Sequence, residues 1–437
     1  MKQRRLLLVT NALPPIMLAD NQRARILARA LPDVGWDVEV LTPDATFHSP
    51  IYVDQKSTIL RPEGEGVHEI PSGGDRILRA LGMRSDAWRA LWPVYRFGLQ
   101  LLMARPFDLI YISTAHFNYF CLGALWQMKT GVPYVLDYQD PWVRDNVSYE
   151  TTPKNWKRFV SRWFSQVMEP FAVKSAAGLI AVSPVYLDEM RQRYPGTRCL
   201  QAERARVIPF GVDEGDYATA WAQGELPREA SDPLSLDIVY VGAGRAIMAK
   251  SFERVCRALA RLNKQEAGLL SNLKIRLFGT YAHWQDGDPR ELQGVAKREG
   301  VGDMVEERPK RIGYVDALRL ALDADGLLVL GVDDTAYMPS KLFLYSMTGK
   351  PLLACMRRDS QVNAYFDKYP EIGTLIHFGD SIEDLEREDE LIREFLKEVA
   401  GRKTHARPAL REEFSASAMA MHHAELFERC VSDRPGE

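Results

Sequence analysis

Short apolar runs alternate with amphipathic stretches along nearly the whole chain. In the first half, residues 6–9, 37–41, 108–112, 133–136, 178–182 and 206–209 read as buried strands. Apolar positions at helical spacing predict helices over 21–31, with Arg23, Arg25 and Arg29 on the polar side, and over 117–129. Apolar strands separated by helices imply a parallel sheet covered on both faces. The periodicity lapses after Asp213, where Gly, Pro, Asp and Glu gather, and then restarts. Strands are expected at 237–241, 273–278 and 326–330, helices over 251–265, 290–298 and 315–323, and a last helix over 415–430.

The most informative run is 339–354. Pro339 suits the first turn of a helix, where a missing N–H costs nothing, and Ser340 can help satisfy the open donors there. Apolar residues at 342, 343, 346 and 347 share a helical face, Gly349 stops the helix, and 351–354 continue as a strand. With strand 326–330 just upstream, this helix would start at the carboxyl end of a parallel sheet. Open α/β sheets bind ligands there, and a helix N-terminus favours an anionic one.

The fold class is therefore α/β, with two Rossmann-like domains facing a cleft. A chain of 437 residues exceeds what one core usually holds, about 250–300 residues. The expected division is a first domain over 1–215, a linker over 216–235, a second domain over 236–405, and a C-terminal helical segment over 406–437 open to packing on either domain. Composition is that of a soluble globular protein, 46% hydrophobic and 26% charged, and a net charge of −3 argues against a general nucleic-acid binder. Five scattered cysteines without a C-x-x-C spacing fit a reducing cytoplasm and argue against a structural zinc site. The apolar run after the basic first residues is too short for a signal peptide, and none approaches the roughly 20 residues needed to span a bilayer. The expectation is a cytoplasmic protein, soluble or attached to the inner face of the plasma membrane.

Two segments break the alternation with basic, aromatic character. Residues 76–105 carry Arg76, Arg79, Arg84, Arg89, Arg96 and Arg105, interleaved with Trp88, Trp92, Tyr95 and Phe97. Residues 154–174 carry Lys154, Lys157, Arg158, Arg162 and Lys174 with Trp156, Phe159, Trp163 and Phe164. A basic amphipathic helix can lie on an anionic membrane. Equally, the aromatics can pack on the sheet while the arginines stay solvated. A further candidate lies at 239–250, where a strand runs into Gly242-Ala243-Gly244 and then Arg245 and Lys250. Glycines let a phosphate approach the backbone, Arg offers a fork and Lys a point charge, although G-x-G also suits any tight strand-to-helix turn. Taken with the 339–354 helix, a diphosphate site is the favoured reading.

An ordered set of motifs now supports a resemblance. TNALPP, QRARILARALPDVGW, FDLIYIS, GVPYVLDYQDPW, AVSPVYLDEM and RVIPFGVDEGDY, followed by YVGAGR, LFGT, RIGYV and PSKLFLYSMTGKPLLA, resemble the landmarks of retaining glycosyltransferases of the GT-B fold, the family called group one or family 4-like. The resemblance covers nearly the whole chain. It implies a metal-independent enzyme with no cofactor beyond its nucleotide-sugar substrate, transferring a hexose-type sugar with retention to a glycan or lipid-linked acceptor in bacterial surface or exopolysaccharide biosynthesis. It places Arg245 and Lys250 on the donor diphosphate, with Gly244 in the turn, the nucleobase against Tyr314 and Val315, and the phosphates at the backbone of Ser340, Lys341 and Leu342. His116 falls where relatives put a histidine against the sugar, and Asp140 at a strand end suited to sugar or acceptor. The rival readings are a satisfied loop histidine and a helix-capping aspartate.

Two positions depart from the family pattern. Leu344 stands where relatives have a Glu that accepts from the donor ribose, and such a bond to a charged group contributes about 1.5–3 kcal/mol. Leu18-Ala19-Asp20-Asn21 replaces the glycine-rich turn after the first strand, so that Asp20 or Asn21 would have to offer side-chain contacts. These departures motivate an alternative, a catalytically degenerate relative that binds nucleotide or glycan or supports a partner. An epimerase on the same scaffold ranks last, because few carboxylates and histidines are available to converge.

Overall fold

The computed structural model describes residues 3–62, 64, 66–71, 85–143, 156–224, 235–379 and 384–432. They form two compact units, Met1–Gly211 with Ala416–Glu437, and Val212–Ser415. The N-terminal unit carries β1 (Arg4–Val9), α1 (Asn21–Ala30), β2 (Trp36–Pro43), β3 (Val67–Ile70), α2 (Asp86–Ala104) and β4 (Leu109–Ser113). It continues with α3 (Phe120–Thr130), β5 (Tyr134–Tyr138), α4 (Trp156–Lys174), β6 (Gly178–Ala181), α5 (Pro184–Arg193) and β7 (Ala205–Val207). The C-terminal unit opens with α6 (Glu214–Ala222), β8 (Leu236–Val241), α7 (Ala246–Gln265), β9 (Leu273–Phe278), α8 (Glu291–Arg298) and β10 (Val305–Arg308). Then come α9 (Tyr314–Asp323), β11 (Gly326–Leu330), α10 (Ser340–Ser346), β12 (Leu352–Arg357), α11 (Asn363–Lys368), β13 (Thr374–Phe378), α12 (Leu385–Ala400) and α13 (Pro408–Phe414). The chain then returns to the first unit as α14 (Ala416–Ser432).

Each unit is built on one parallel sheet, ordered β3-β2-β1-β4-β5-β6-β7 and β10-β9-β8-β11-β12-β13. In both, the order reverses beside the first strand of the unit, giving switch points between β1 and β4 and between β8 and β11. The central strands are apolar on both faces because helices cover both, as Leu6, Leu7, Leu8 and Val9 of β1 illustrate, all without exposed surface. The α/β class with two Rossmann-like units therefore stands.

Several local expectations change. Arg23 and Arg25 are buried rather than solvated, and α14 packs against α1. Arg23 Nη1 donates to Asp137 Oδ1 at 2.8 Å, and its Nη2 donates to the carbonyls of Ile208 and Pro209 at 2.6 and 3.1 Å. A linker starting at 216 does not fit, since α6 occupies 214–222. Asp213 caps it by accepting from the Gly215 N–H at 2.9 Å, and Arg319 stacks 4.2 Å above the Trp221 ring. Capping residues and a glycine had made this helix start look like a loop. The unit boundary falls after Gly211, and the C-terminal segment divides after Ser415, α13 staying with the second unit. Helix α7 starts at Ala246, five residues before the expected 251, so Lys250 sits inside it. Of the basic segments, 76–84 and Lys154 lie outside the described residues. Arg89 is buried between Asp86 and the Phe47 carbonyl.

The C-terminal helix completes the first core. Phe427 meets Trp36 edge-on with ring centroids 5.4 Å apart and Tyr111 at 5.1 Å. His423 places Nδ1 2.7 Å from the Met419 carbonyl, which can only accept, so Nε2 receives the Tyr111 hydroxyl proton at 3.1 Å. Burial holds this imidazole well below its ordinary pKa, which keeps it neutral. Among the described residues no helix is long and apolar enough to cross a membrane. Phe427→Ala should lower stability by about 3–5 kcal/mol, read as a shift of the urea unfolding midpoint of the full chain.

Candidate functional site

In the C-terminal unit, two loops flank the switch point. After β8 the chain turns at Gly242, φ +128°, with its N–H on the Phe278 carbonyl at 2.8 Å. Gly244 lies so close to Thr280 that a Cβ would come within 2.8 Å of the threonine Cβ. Arg245 then caps α7 with φ 59°, a left-handed backbone on a non-glycine residue, which costs free energy and concentrates at functional sites. Its guanidinium lies 4.7 Å from the Tyr281 ring centroid and 3.6 Å from Glu291. Lys250, one turn into α7, pairs with Asp333 in the loop after β11. Arg357 takes the other oxygen of Asp333, and the two cations hold that carboxyl below its usual range.

Helix α10 sits across the same switch point. The Val241 N–H donates to the Tyr345 hydroxyl at 3.1 Å, fixing the helix to the end of β8. Phe343 packs on Phe414 at 4.7 Å, and Arg407 caps the far end through the Ser346 and Lys350 carbonyls. The helix is shorter than the sequence suggests, ending at Ser346, with Gly349 at φ +76° closing the turn after it. Lys341 lies one turn before Tyr345 on the same side. Its stem covers Gly242, where a Cβ would meet Cε at 2.3 Å and Nζ at 2.4 Å, and its ammonium stands 5.4 Å from the Tyr240 ring centroid. Burial lowers its pKa to about 8.

Of the other expected donor residues, Ser340 is exposed and Leu342 is buried. Leu344 is half-buried, and its carbonyl accepts from the Tyr217 hydroxyl. Val315 is buried in α9, and the Tyr314 hydroxyl donates to Asp216 at 3.0 Å, so this tyrosine ties α9 to α6. The turn, Arg245 at the α7 cap and Lys250 in its first turns therefore gather at one sheet end, while Tyr314 and Val315 act first as packing.

In the N-terminal unit the β1/β4 switch point holds a second polar cluster. His116 opens the loop after β4, its backbone N–H held by Thr114 Oγ1 at 2.9 Å. Its ring lies 6.5 Å from that of His48, whose Nε2 faces the Asn11 carbonyl at 2.9 Å and whose Nδ1 is 3.8 Å from Asp86. Asn11 is fully buried, and neither its side-chain oxygen nor its nitrogen has a partner among the described residues; the same holds for His116 Nδ1. Asp20 and Asn21 do not offer loose contacts: Asp20 accepts from the Ala115 N–H at 2.8 Å, and Asn21 donates to the Ile16 carbonyl at 2.6 Å. Asp140 is exposed past the end of β5, whereas the buried carboxylate there is Asp137, shared by Arg23, Ser113 and Gln139. Sequence reasoning missed Asn11, His48 and Asp86, because they lie in loops or at a helix start with no periodicity to mark them.

This two-sheet α/β fold is that of GT-B neighbours. Residues 21–211 match the family model described as glycosyl transferase 4-like domain. A D-inositol 3-phosphate glycosyltransferase of Actinosynnema mirum is 32% identical over 148 residues, and the chain spans about a third (33%) of that relative's length. Among solved structures, HepE of Anabaena in complex with UDP covers 98% of this chain and 100% of its own, at 16% identity and a TM-score of 0.60. WaaG, a glycosyltransferase involved in lipopolysaccharide biosynthesis, covers 99% and 100% at 17% identity and 0.52. The chain thus shares the GT-B fold of these structures, and its residues 21–211 resemble a glycosyl transferase 4-like domain.

Burial is the leading cause that holds both His48 and His116 below the ordinary histidine pKa. Below about pH 6.5 the unfolded chain binds protons that the folded one refuses, so stability falls as pH drops, by up to about 1.4 kcal/mol per pH unit for each histidine. Melting curves between pH 7.5 and 5.5 should show this loss, and His48→Gln should make it shallower.

Proposed function

We propose that the protein is a nucleotide-sugar-dependent glycosyltransferase acting with retention on a glycan or lipid-linked acceptor, in the assembly of a bacterial surface or exopolysaccharide. The observation that carries this reading is the set of cations, Arg245, Lys250 and Lys341, held around the Gly242 turn at the switch point of the C-terminal sheet. A departing nucleoside diphosphate accumulates negative charge, and preorganised cations lower that barrier without reorganising. HepE, bound to UDP and in a second structure to UDP-glucose, supports a donor of this class. In this reading the strained Arg245 and the backbone of Ser340, Lys341 and Leu342 bind the diphosphate, and no metal is assigned a role. His116 and Asp140 serve the sugar and acceptor from the N-terminal unit. A half-buried, neutral His116 keeps one ring nitrogen able to accept and one able to donate, which suits a sugar hydroxyl.

A second reading, a degenerate relative that binds without turnover, is favoured by Leu344 and by the carboxylates Glu291 and Asp333 beside Arg245 and Lys250. Transfer and donor-hydrolysis assays over a panel of nucleotide sugars separate the two. The enzyme reading expects turnover that Arg245→Ala reduces about 10²–10³-fold. Binding of a nucleotide sugar with no turnover by the wild type would instead support the degenerate relative.

We also assign the exposed aromatic face of the N-terminal unit to a peripheral membrane contact. Helices α2 and α4 both pack on α3 and leave Trp88, Trp92, Trp163, Phe164 and Phe171 exposed, Trp92 at 64%. Trp88 and Phe164 meet edge-on at 6.2 Å, which makes the two helices one patch. Soluble surfaces rarely leave such rings together without a partner. The protein should float with vesicles containing anionic lipid, and Trp92→Ser with Trp163→Ser and Phe164→Ser should stay at the bottom of the gradient. Equal flotation of both would remove the membrane assignment.

A further inference from the structure

We propose that the side-chain ammonium of Lys341, rather than the Arg245/Lys250 pair alone, is the principal charge that receives the diphosphate in the C-terminal unit. This rests on the donor-site reading above and gives one residue of it a role that the resemblance left to the backbone.

The three cations differ in what they already touch. Lys250 is paired with Asp333, and Arg245 has Glu291 within reach; their side chains are 68% and 58% exposed. Charges so exposed and so paired present little unspent field, because solvent and partner both screen them. Among the described residues Lys341 has no carboxylate partner. Its surroundings are the Tyr240 ring, the bare Cα of Gly242 and the β8 end to which Tyr345 fixes its helix. The ring is a weak substitute for an anion, contributing about 0.5–2 kcal/mol. Lys341 is half-buried, and a partly desolvated ammonium without a counter-ion is costly, a cost that an arriving anion lowers.

Position is as specific as charge. Lys341 can lie over the sheet end only because residue 242 has no side chain, and the backbone there, φ +128°, is one that L residues rarely adopt. Lysine's unbranched stem ends in a compact ammonium, which suits a phosphate in this space better than the wider guanidinium fork. The donor-facing turn and the Lys341 stem therefore define each other. Lowering of the lysine pKa to about 8 is consistent with that enclosure.

The test measures binding of inorganic pyrophosphate, UDP and uridine by calorimetry to the full chain and to Lys341→Met, Lys341→Arg and Arg245→Ala. Methionine keeps the length of the stem and its packing on Gly242, and unchanged melting temperatures would verify the fold. Lys341→Met should weaken pyrophosphate and UDP at least about 10-fold, the scale of one hydrogen bond to a charged group, while uridine is unaffected and Lys341→Arg recovers part of the loss. The loss should exceed that of Arg245→Ala. Equal pyrophosphate and UDP affinity in wild type and Lys341→Met overturns the inference while leaving the donor site standing. A wild type that binds neither pyrophosphate nor any of UDP, GDP and ADP overturns the donor-site reading, and this inference with it.

Discussion

A charge removed from water must meet an opposite charge, and this constraint decides much of the structure. In the N-terminal unit Arg23 and Asp137, both without exposed surface, lock α1 to the end of β5 and draw Ser113 and Gln139 into the same network. In the C-terminal unit Arg254 and Arg261 on α7 meet Glu388 and Asp389 on α12 in the same way, binding that helix over the sheet. Breaking such pairs costs more than their net contribution, because the remaining charge stays buried. Set against these pairs, a lysine left with an aromatic ring and a glycine for neighbours stands out as an unmet demand. It lies where the sheet order reverses.

The two units solve a similar problem differently. Each brings loops from neighbouring strands to a switch point, the position where α/β sheets expose strand ends and backbone donors. The C-terminal unit lines that position with cations and glycines, a composition for anions. The N-terminal unit lines it with Asn11, His48 and His116, uncharged polar groups.

Much of this was legible in the residues, and the failures have physical causes. Strand β11 was read to the residue because both its faces are apolar, and β9 because Leu273, Ile275 and Leu277 alternate with Lys274 and Arg276. Edge strands β3, β10 and β13 went unread, since sequences such as Val-Glu-Glu-Arg in β10 keep one face polar and mimic loops. Arg23 looks solvated on a helical wheel, and only partners far away in sequence, Asp137, Ile208 and Pro209, make it interior. The Gly242–Arg245 turn was found from its glycines. Neither the enclosure of Lys341 nor the His48–His116 pair could be, because both depend on contacts between residues far apart in sequence.

The return of α14 to the first unit has a bearing on how the molecule is made. Residues 1–211 leave the ribosome before the helix that covers α1 and supplies Met419, Phe427 and Cys430 to their core. The second unit, by contrast, is a single continuous segment, complete once Ser415 has emerged. Synthesis therefore runs against order of appearance: the unit begun first waits, with Trp36 and Tyr111 without their Phe427 contact, until the second unit has been made.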